Sequence, residues 1–434
     1  MPIQNRLTHS FQNRTVHRAE LSNGMTVLAV ENPAADIVSC RMFVRAGGRT
    51  EPLHQAGISH LLAAVMTKGT ETRSAHDIAD YVESMGASLG TDATADYCLL
   101  SFKTVSSDVV DILSLAAELL RSPSFPEAEV DLEKRLTLQG LRSMKEQPFA
   151  IAQHQLRQLM YPSHPYAHPI LGTEETVQAL TPEQLRQYHH DYFRPDNMVV
   201  SVSGRLAPDD AIALIDKYLG DWQPPSHDGQ PIPLPQPDVA PIAPKASTSM
   251  IPEETQQSVI MLGYLCSSVQ SDDYLVLKLL NTYLGNGLSS RLFVELREKR
   301  GLAYEVSAFY PTRLHQSQFV AYMGTAPINT EQALAGLQHE VTRLATTPLE
   351  PEALQSAKNK ILGQYALGKQ TNAQLAQIFG WYETLGLGLE FDQQFQAGIT
   401  AITPEQAQDV AKRYFTEPYI SIVGQPIAEN ALSA

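Results

Sequence analysis

Apolar residues recur at helical spacing in two long stretches, DVVDILSLAAELLRSP (108–123) and DDYLVLKLLNTYLGN (272–286), and this period predicts amphipathic helices. RAELSNGMTVLAVEN (18–32) alternates instead, with Asn23-Gly24 between its two runs, and reads as a β-hairpin. After Gly57 the positions Ile58, Leu61, Leu62, Val65 and Met66 share one face, which predicts a buried helix. Strands alternating with long amphipathic helices predict an α+β chain whose sheets carry helices on one face.

The pattern also repeats. LTPEQLRQYHHDYFRPDNMVVSVSG (180–204) and ITPEQAQDVAKRYFTEPYISIVG (402–424) both run Thr-Pro-Glu-Gln, a helix, Tyr-Phe, a turn and a strand ending in glycine. Thr181 and Thr403 suit helix N-caps, with proline at the first helical position and glutamine two residues later. Strand starts SCRMFVRAG (from Ser39) and SVIMLGYLC (from Ser258) lie in the same register about half a chain apart. A period this long is no solenoid and predicts a duplicated domain. Between the copies, QPPSHDGQPIPLPQPDVAPIAP (223–244) is too rich in proline for a helix or central strand and reads as a stiff linker. The expected layout is residues 1–222, a linker over 223–249, and a homologous domain over 250–434.

Composition narrows the function classes. A net charge of −15 disfavours nucleic acid and anionic membrane as partners. Cys40, Cys98 and Cys266 form no C-x-x-C pair, so neither a disulfide framework nor a cysteine zinc site is expected. The N-terminal stretch lacks an apolar run of signal-peptide length, and no stretch approaches a membrane span; a cytoplasmic location is the expectation.

Candidate chemistry begins in GISHLLAAVMTKGT (57–70). His60 stands three residues before Ala63 and four before Ala64. In the helical motif H-x-x-E-H the two histidines share a face and bind zinc, while the glutamate activates the bound water. Here the string is H-L-L-A-A, so one ligand type remains and the other two positions hold alanine. His164 and His168 have ligand-like spacing, but Pro165 and Pro169 argue against a regular helix there. His189 and His190 are adjacent and point apart on a helix, as surface or capping residues.

In VELREKRGLAYEV (294–306) a helix is expected to end near Lys299, with Gly301 as the left-handed residue and a strand over 303–309. Arg297 in the last turn and Tyr304 at the strand start can then face one site. A guanidinium fork and a phenol suit a carbonyl and a developing oxyanion.

Several segments together resemble the pitrilysin-like zinc peptidases, in the branch of the mitochondrial processing peptidases. These are RAGGRTEPLHQAGISHLLAAVMTKGTETRS (45–74), MGASLGTDATADY (85–97), HPYAHPILGTEETVQALTPEQLRQYHHDYFRPDNMVVSVSG (164–204) and LSSRLFVELREKRGLAYEVSAFY (288–310). The resemblance implies two homologous domains, each a mainly antiparallel sheet with helices on one face, enclosing a chamber. It also implies that the family's third zinc ligand, a glutamate, corresponds to Gly140, and that Glu133 corresponds to a supporting glutamate. With His60, Ala63, Ala64 and Gly140 at the metal positions, no zinc is expected in this chain.

Arg297 and Tyr304 match the family's substrate-orienting pair, seven residues apart. Some bacterial members divide the work between a chain with an intact zinc motif and one that supplies only this pair. This sequence resembles the second kind. The resemblance therefore implies a non-metal subunit of a heterodimeric zinc endopeptidase. It would bind peptide along a sheet edge, give Arg297 and Tyr304 to a zinc-bearing partner, and have homodimerisation open to it in isolation. A catalytically inactive scaffold or substrate-recognition protein of the same fold is the alternative.

Overall fold

The structure, a computed structural model, describes residues 4–11, 14–228, 230–236, 239 and 241–426. The chain forms two compact units. One comprises Met1–Leu141, His168–Asp238 and Ala366–Phe391; the other comprises Arg142–Ala167, Val239–Tyr365 and Asp392–Ala434.

The first unit is built on seven strands: β1 (Gln4–Phe11), β2 (Arg14–Glu20), β3 (Thr26–Glu31), β4 (Ile37–Val44), β5 (Ser88–Ala93), β6 (Cys98–Val105) and β7 (Met198–Gly204). Their order is β1-β2-β3-β7-β4-β6-β5. All pairs are antiparallel except β3 with β7, which run parallel from Thr26↔Val199 to Glu31↔Gly204. The predicted hairpin is β2–β3, with Gly24 at φ +88° in its turn. Inside the proline-rich stretch, β8 (Ser226–His227) and β9 (Gln230–Pro231) make a short ribbon.

The second unit holds β10 (Ser247–Pro252), β11 (Ser258–Cys266), β12 (Glu305–Phe309), β13 (Ser317–Thr325) and β14 (Tyr419–Gly424), in the order β10-β14-β11-β13-β12. Its one parallel pair is β10 with β14. This order superposes on β3-β7-β4-β6-β5 strand for strand, parallel pair included, so the sequence repeat is a structural duplication. Matched caps mark it too: Thr181 Oγ1 accepts from the Gln184 N–H and Thr403 Oγ1 from the Gln406 N–H, both at 3.3 Å. Each copy's last strand ends in glycine because atoms of the neighbouring strand crowd the position. A Cβ on Gly204 would lie 2.3 Å from the Ile37 carbonyl oxygen, and one on Gly424 would lie 2.4 Å from Ser258 Oγ.

One face of the first sheet carries Val38, Cys40, Met42 and Val44 into a core shared with the helices Ile58–Met66, Val109–Arg121 and Pro208–Leu219. The opposite face is covered by a helix from the far half of the sequence, Asn372–Thr384, which packs on β4 and β7. Gly380 permits that approach, since a Cβ there would sit 2.3 Å from the Phe43 ring. The second sheet receives the reciprocal gift. Helix Pro148–Met160, from the first half of the sequence, packs on β11 and β14, with Leu156 and Met160 against Gly263. The Ser421 hydroxyl donates to the Ala152 carbonyl at 2.9 Å beneath it. The units are therefore interleaved along the chain, each sheet having one helix exchanged between the sequence halves. Cys40, Cys98 and Cys266 are all free and buried. Among the described residues, no helix is long and apolar enough to cross a membrane.

Candidate functional site

The Ile58–Met66 helix starts at Gly57, whose φ of +94° suits glycine alone. Its first turn is capped by Glu51, a buried carboxylate that no sequence pattern singles out. Glu51 accepts from the Gly57 N–H at 2.8 Å, the Ser59 N–H at 3.0 Å and the Ser59 hydroxyl. Burial pushes its carboxyl upward, and these three donors oppose the shift. A buried acid within a run of polar residues before a helix glycine is a weak signal, visible only once the chain folds back.

His60 is half-buried, and loss of water lowers its imidazole against the opposing pull of Asp92 and Glu133. Glu133 is held by Lys68 at 3.1 Å. Ala63 is 2% exposed, and its carbonyl accepts from Thr91 Oγ1 of β5 at 2.6 Å. Gly140 lies in helix Glu127–Met144 with room beside it: an added Cβ would meet only Leu171 Cδ1, at 4.0 Å. The positions that correspond to a zinc site thus offer one imidazole, two methyl groups and a hydrogen. That donor set does not fit the three protein ligands of a catalytic zinc.

The other histidines are committed elsewhere. His164 is buried, and its Nδ1 accepts from the Tyr166 N–H at 3.0 Å. His189, read as a surface or capping residue, is buried and bonds the end of helix Val109–Arg121. Its Nε2 meets the Leu120 carbonyl at 2.8 Å, and its ring stacks on Phe193 at 4.9 Å. Burial lowers it to about 4, so it is a neutral structural residue. The apolar neighbours Phe125 and Phe193 outweigh what its own helix predicts. His190 is exposed, as adjacent helix positions require.

The second unit presents a different arrangement. Arg297 lies in Phe293–Glu298, a single π-type turn rather than the regular helix end expected. Gly301 follows at φ +63°, its N–H bonded to the Arg297 carbonyl at 3.1 Å. The chain then turns into β12, with the Leu302 carbonyl accepting from Thr325 Oγ1 at 2.6 Å and the Tyr304 N–H donating to Gly324 at 2.9 Å. Both backbone positions are fixed by main-chain bonds to β13 or to the turn itself.

The side chains around this turn sort by partner. Glu340, 1% exposed on helix Thr330–Thr346, takes Arg291 at 2.8 Å and Arg300 at 3.9 Å. Glu295 takes Arg291 at 3.0 Å and Lys299 at 2.8 Å. Arg291, Lys299 and Arg300 therefore each have a carboxylate within 4 Å. Arg297 has none among the described residues; its guanidinium lies over the Phe293 ring at 4.9 Å and is exposed. Tyr304 is 62% exposed, and its hydroxyl has no hydrogen-bond partner among the described residues. An ordered turn surrounded by saturated ion pairs thus leaves two strong donors open to solvent.

Two family models match the chain in succession: "Insulinase (Peptidase family M16)" over residues 26–174 and "Peptidase M16 inactive domain" over residues 179–361. The chain is 27% identical to the "Uncharacterized zinc protease YmxG" of Bacillus subtilis, over 93% of this chain and 97% of that protein. It is 25% identical to the "Uncharacterized zinc protease SCO5738" of Streptomyces coelicolor, over 96% and 91%. Among solved structures it resembles a peptidase M16 inactive domain from Pseudomonas fluorescens, with a TM-score of 0.86 and 25% identity over 95% of this chain and 99% of that one. A protease from Helicobacter pylori has the same fold, with a TM-score of 0.87 and 21% identity over 95% and 100%.

Proposed function

Because this chain belongs to the pitrilysin-like peptidase family M16, we propose that it is the non-metal subunit of a heterodimeric zinc endopeptidase. Its partner would be a homologous chain with an intact H-x-x-E-H. The observation that carries this reading is the contrast at one turn: every neighbouring base is paired with a carboxylate, while Arg297 and Tyr304 are held in place with their donors unused. A purely structural turn gains nothing from two unsatisfied donors on fixed backbone.

The zinc of the partner would supply the activated water. This chain's own residues bind and polarise the peptide. The Arg297 fork donates to a peptide carbonyl and fixes its direction, while the Tyr304 hydroxyl donates to the oxygen on which negative charge grows. Strand β5 ends its sheet with one edge unpaired among the described strands, beside the His60 helix, which suits addition of an extended peptide. His60 has no catalytic part in this scheme, and no zinc is bound by this chain.

The test mixes the purified chain with a homologue that has the intact motif and assays cleavage of unstructured peptides. Activity in the mixture, and in neither chain alone, supports the proposal. An inert mixture that still forms a stable complex would favour the scaffold reading, and stoichiometric zinc in this chain alone would contradict the division of labour.

A further inference from the structure

The second unit contains another group of uncompensated cations, on segments other than the Arg297 turn. We propose that Arg157, Lys278 and Arg313 form a binding site for a phosphate-type oxyanion, at the end of the second sheet where helix Pro148–Met160 meets the segments after Cys266 and Phe309.

A run of contacts links the segments that carry the three side chains. Arg157 is in the last turn of its helix, where its carbonyl accepts from the Tyr161 N–H at 2.8 Å. The Tyr161 ring packs edge-on to Tyr166 at 5.8 Å, and the Arg313 guanidinium lies over Tyr166 at 5.5 Å. The segment carrying Arg313 is tied down by the Val269 N–H, which donates to its carbonyl at 2.9 Å, and by Thr312 Oγ1 against the Tyr274 hydroxyl at 2.7 Å. Lys278, one turn along from Tyr274, donates to the Tyr310 carbonyl at 2.9 Å and lies 5.4 Å from both tyrosine rings.

What is missing is negative charge. None of the three cations has a carboxylate within 4 Å among the described residues. Asp273, next to Tyr274, is taken by Arg413 and by the Tyr414 hydroxyl at 3.0 Å. Arg157 Nε is buried with no hydrogen-bond partner among the described residues, while the side chain as a whole is half-buried. Burying a guanidinium without an acceptor costs free energy that a bound anion would recover. Burial and then the Arg313 charge lower Arg157 to about 10 and Lys278 to about 8, the direction expected where cations crowd without a counter-ion. Two guanidinium forks and an ammonium match the charge and several oxygens of a phosphate dianion better than a single carboxylate.

Calorimetric titration of the full chain with inorganic phosphate, at constant ionic strength, tests the site. One phosphate per chain with a Kd below about 1 mM is expected. Arg157→Gln and Arg313→Gln should each weaken binding at least tenfold, while Arg297→Ala leaves it unchanged and so separates this site from the proposed catalytic pair. Arg313 lies outside the helices and strands, which makes its variant the safer one for folding. Glycerol 3-phosphate in parallel identifies the source: tighter binding than phosphate marks a phosphomonoester as ligand, and equal or weaker binding marks the free ion. No phosphate binding by the unsubstituted chain, or full binding by folded Arg313→Gln, would overturn the proposal.

Discussion

The His60 helix of the first unit and the Arg297 turn of the second differ in almost every physical respect. The helix is tied inward: Glu51 caps it, Lys68 occupies Glu133, and alanine methyls fill positions 63 and 64. The turn is held by main-chain bonds and by the ion pairs of Glu295 and Glu340, while Arg297 and Tyr304 are exposed and, among the described residues, have no carboxylate or hydrogen-bond partner. On the proposed function, a rigid backbone with unused donors is what the turn needs, whereas the polar groups beside the His60 helix serve its stability.

The comparison can be broken from the helix side first. Glu51→Ala would leave the buried Gly57 and Ser59 N–H groups without acceptors and should destabilise the fold by about 3 kcal/mol, read from denaturant midpoints. A loss below about 0.5 kcal/mol would mean that the cap is not what holds the helix.

Acid should act through His189 on a similar scale. Its folded value of about 4 lies below its ordinary 6.5, so the unfolded chain binds the extra proton between those limits. That contribution is complete above about pH 6.5 and is lost as pH falls toward 4. It amounts to about 3 kcal/mol, and His189→Gln should flatten this part of the stability profile.

On the turn, Tyr304→Phe removes one donor and nothing else. A fall of about tenfold in kcat of the reconstituted complex, with unfolding unchanged, is expected. An equal loss in thermal stability would instead mark the tyrosine as structural. The smallest effect belongs to the position that the family resemblance matches to a metal ligand: Gly140→Ala, with open space for its Cβ inside a helix, should stabilise by about 0.5–1 kcal/mol and leave cleavage unaltered.

Much of this was legible in the sequence for reasons that are local. The Thr181 and Thr403 caps, the Asn23-Gly24 hairpin and the left-handed Gly301 each follow from short-range backbone chemistry, and the repeat announced a duplicated domain, though not its strand order. The exchange of helices Pro148–Met160 and Asn372–Thr384 was not legible. An apolar face announces burial but not which sheet will bury it, and the glycines that admit each helix, Gly263 and Gly380, are meaningful only beside their partners. The same limit hid Glu51 and misplaced His189, whose surroundings come from distant segments. At the turn, the left-handed Gly301 was legible, but not the π-type turn before it, nor that Glu295 and Glu340 saturate the neighbouring bases Arg291, Lys299 and Arg300.

The most direct measurement is the kcat of the reconstituted complex with Arg297→Ala in this chain, taken alongside complex affinity and the unfolding midpoint. The account predicts a loss of about 10²-fold or more in kcat, with affinity and midpoint unchanged. Full activity in a complex that carries the substitution would contradict it.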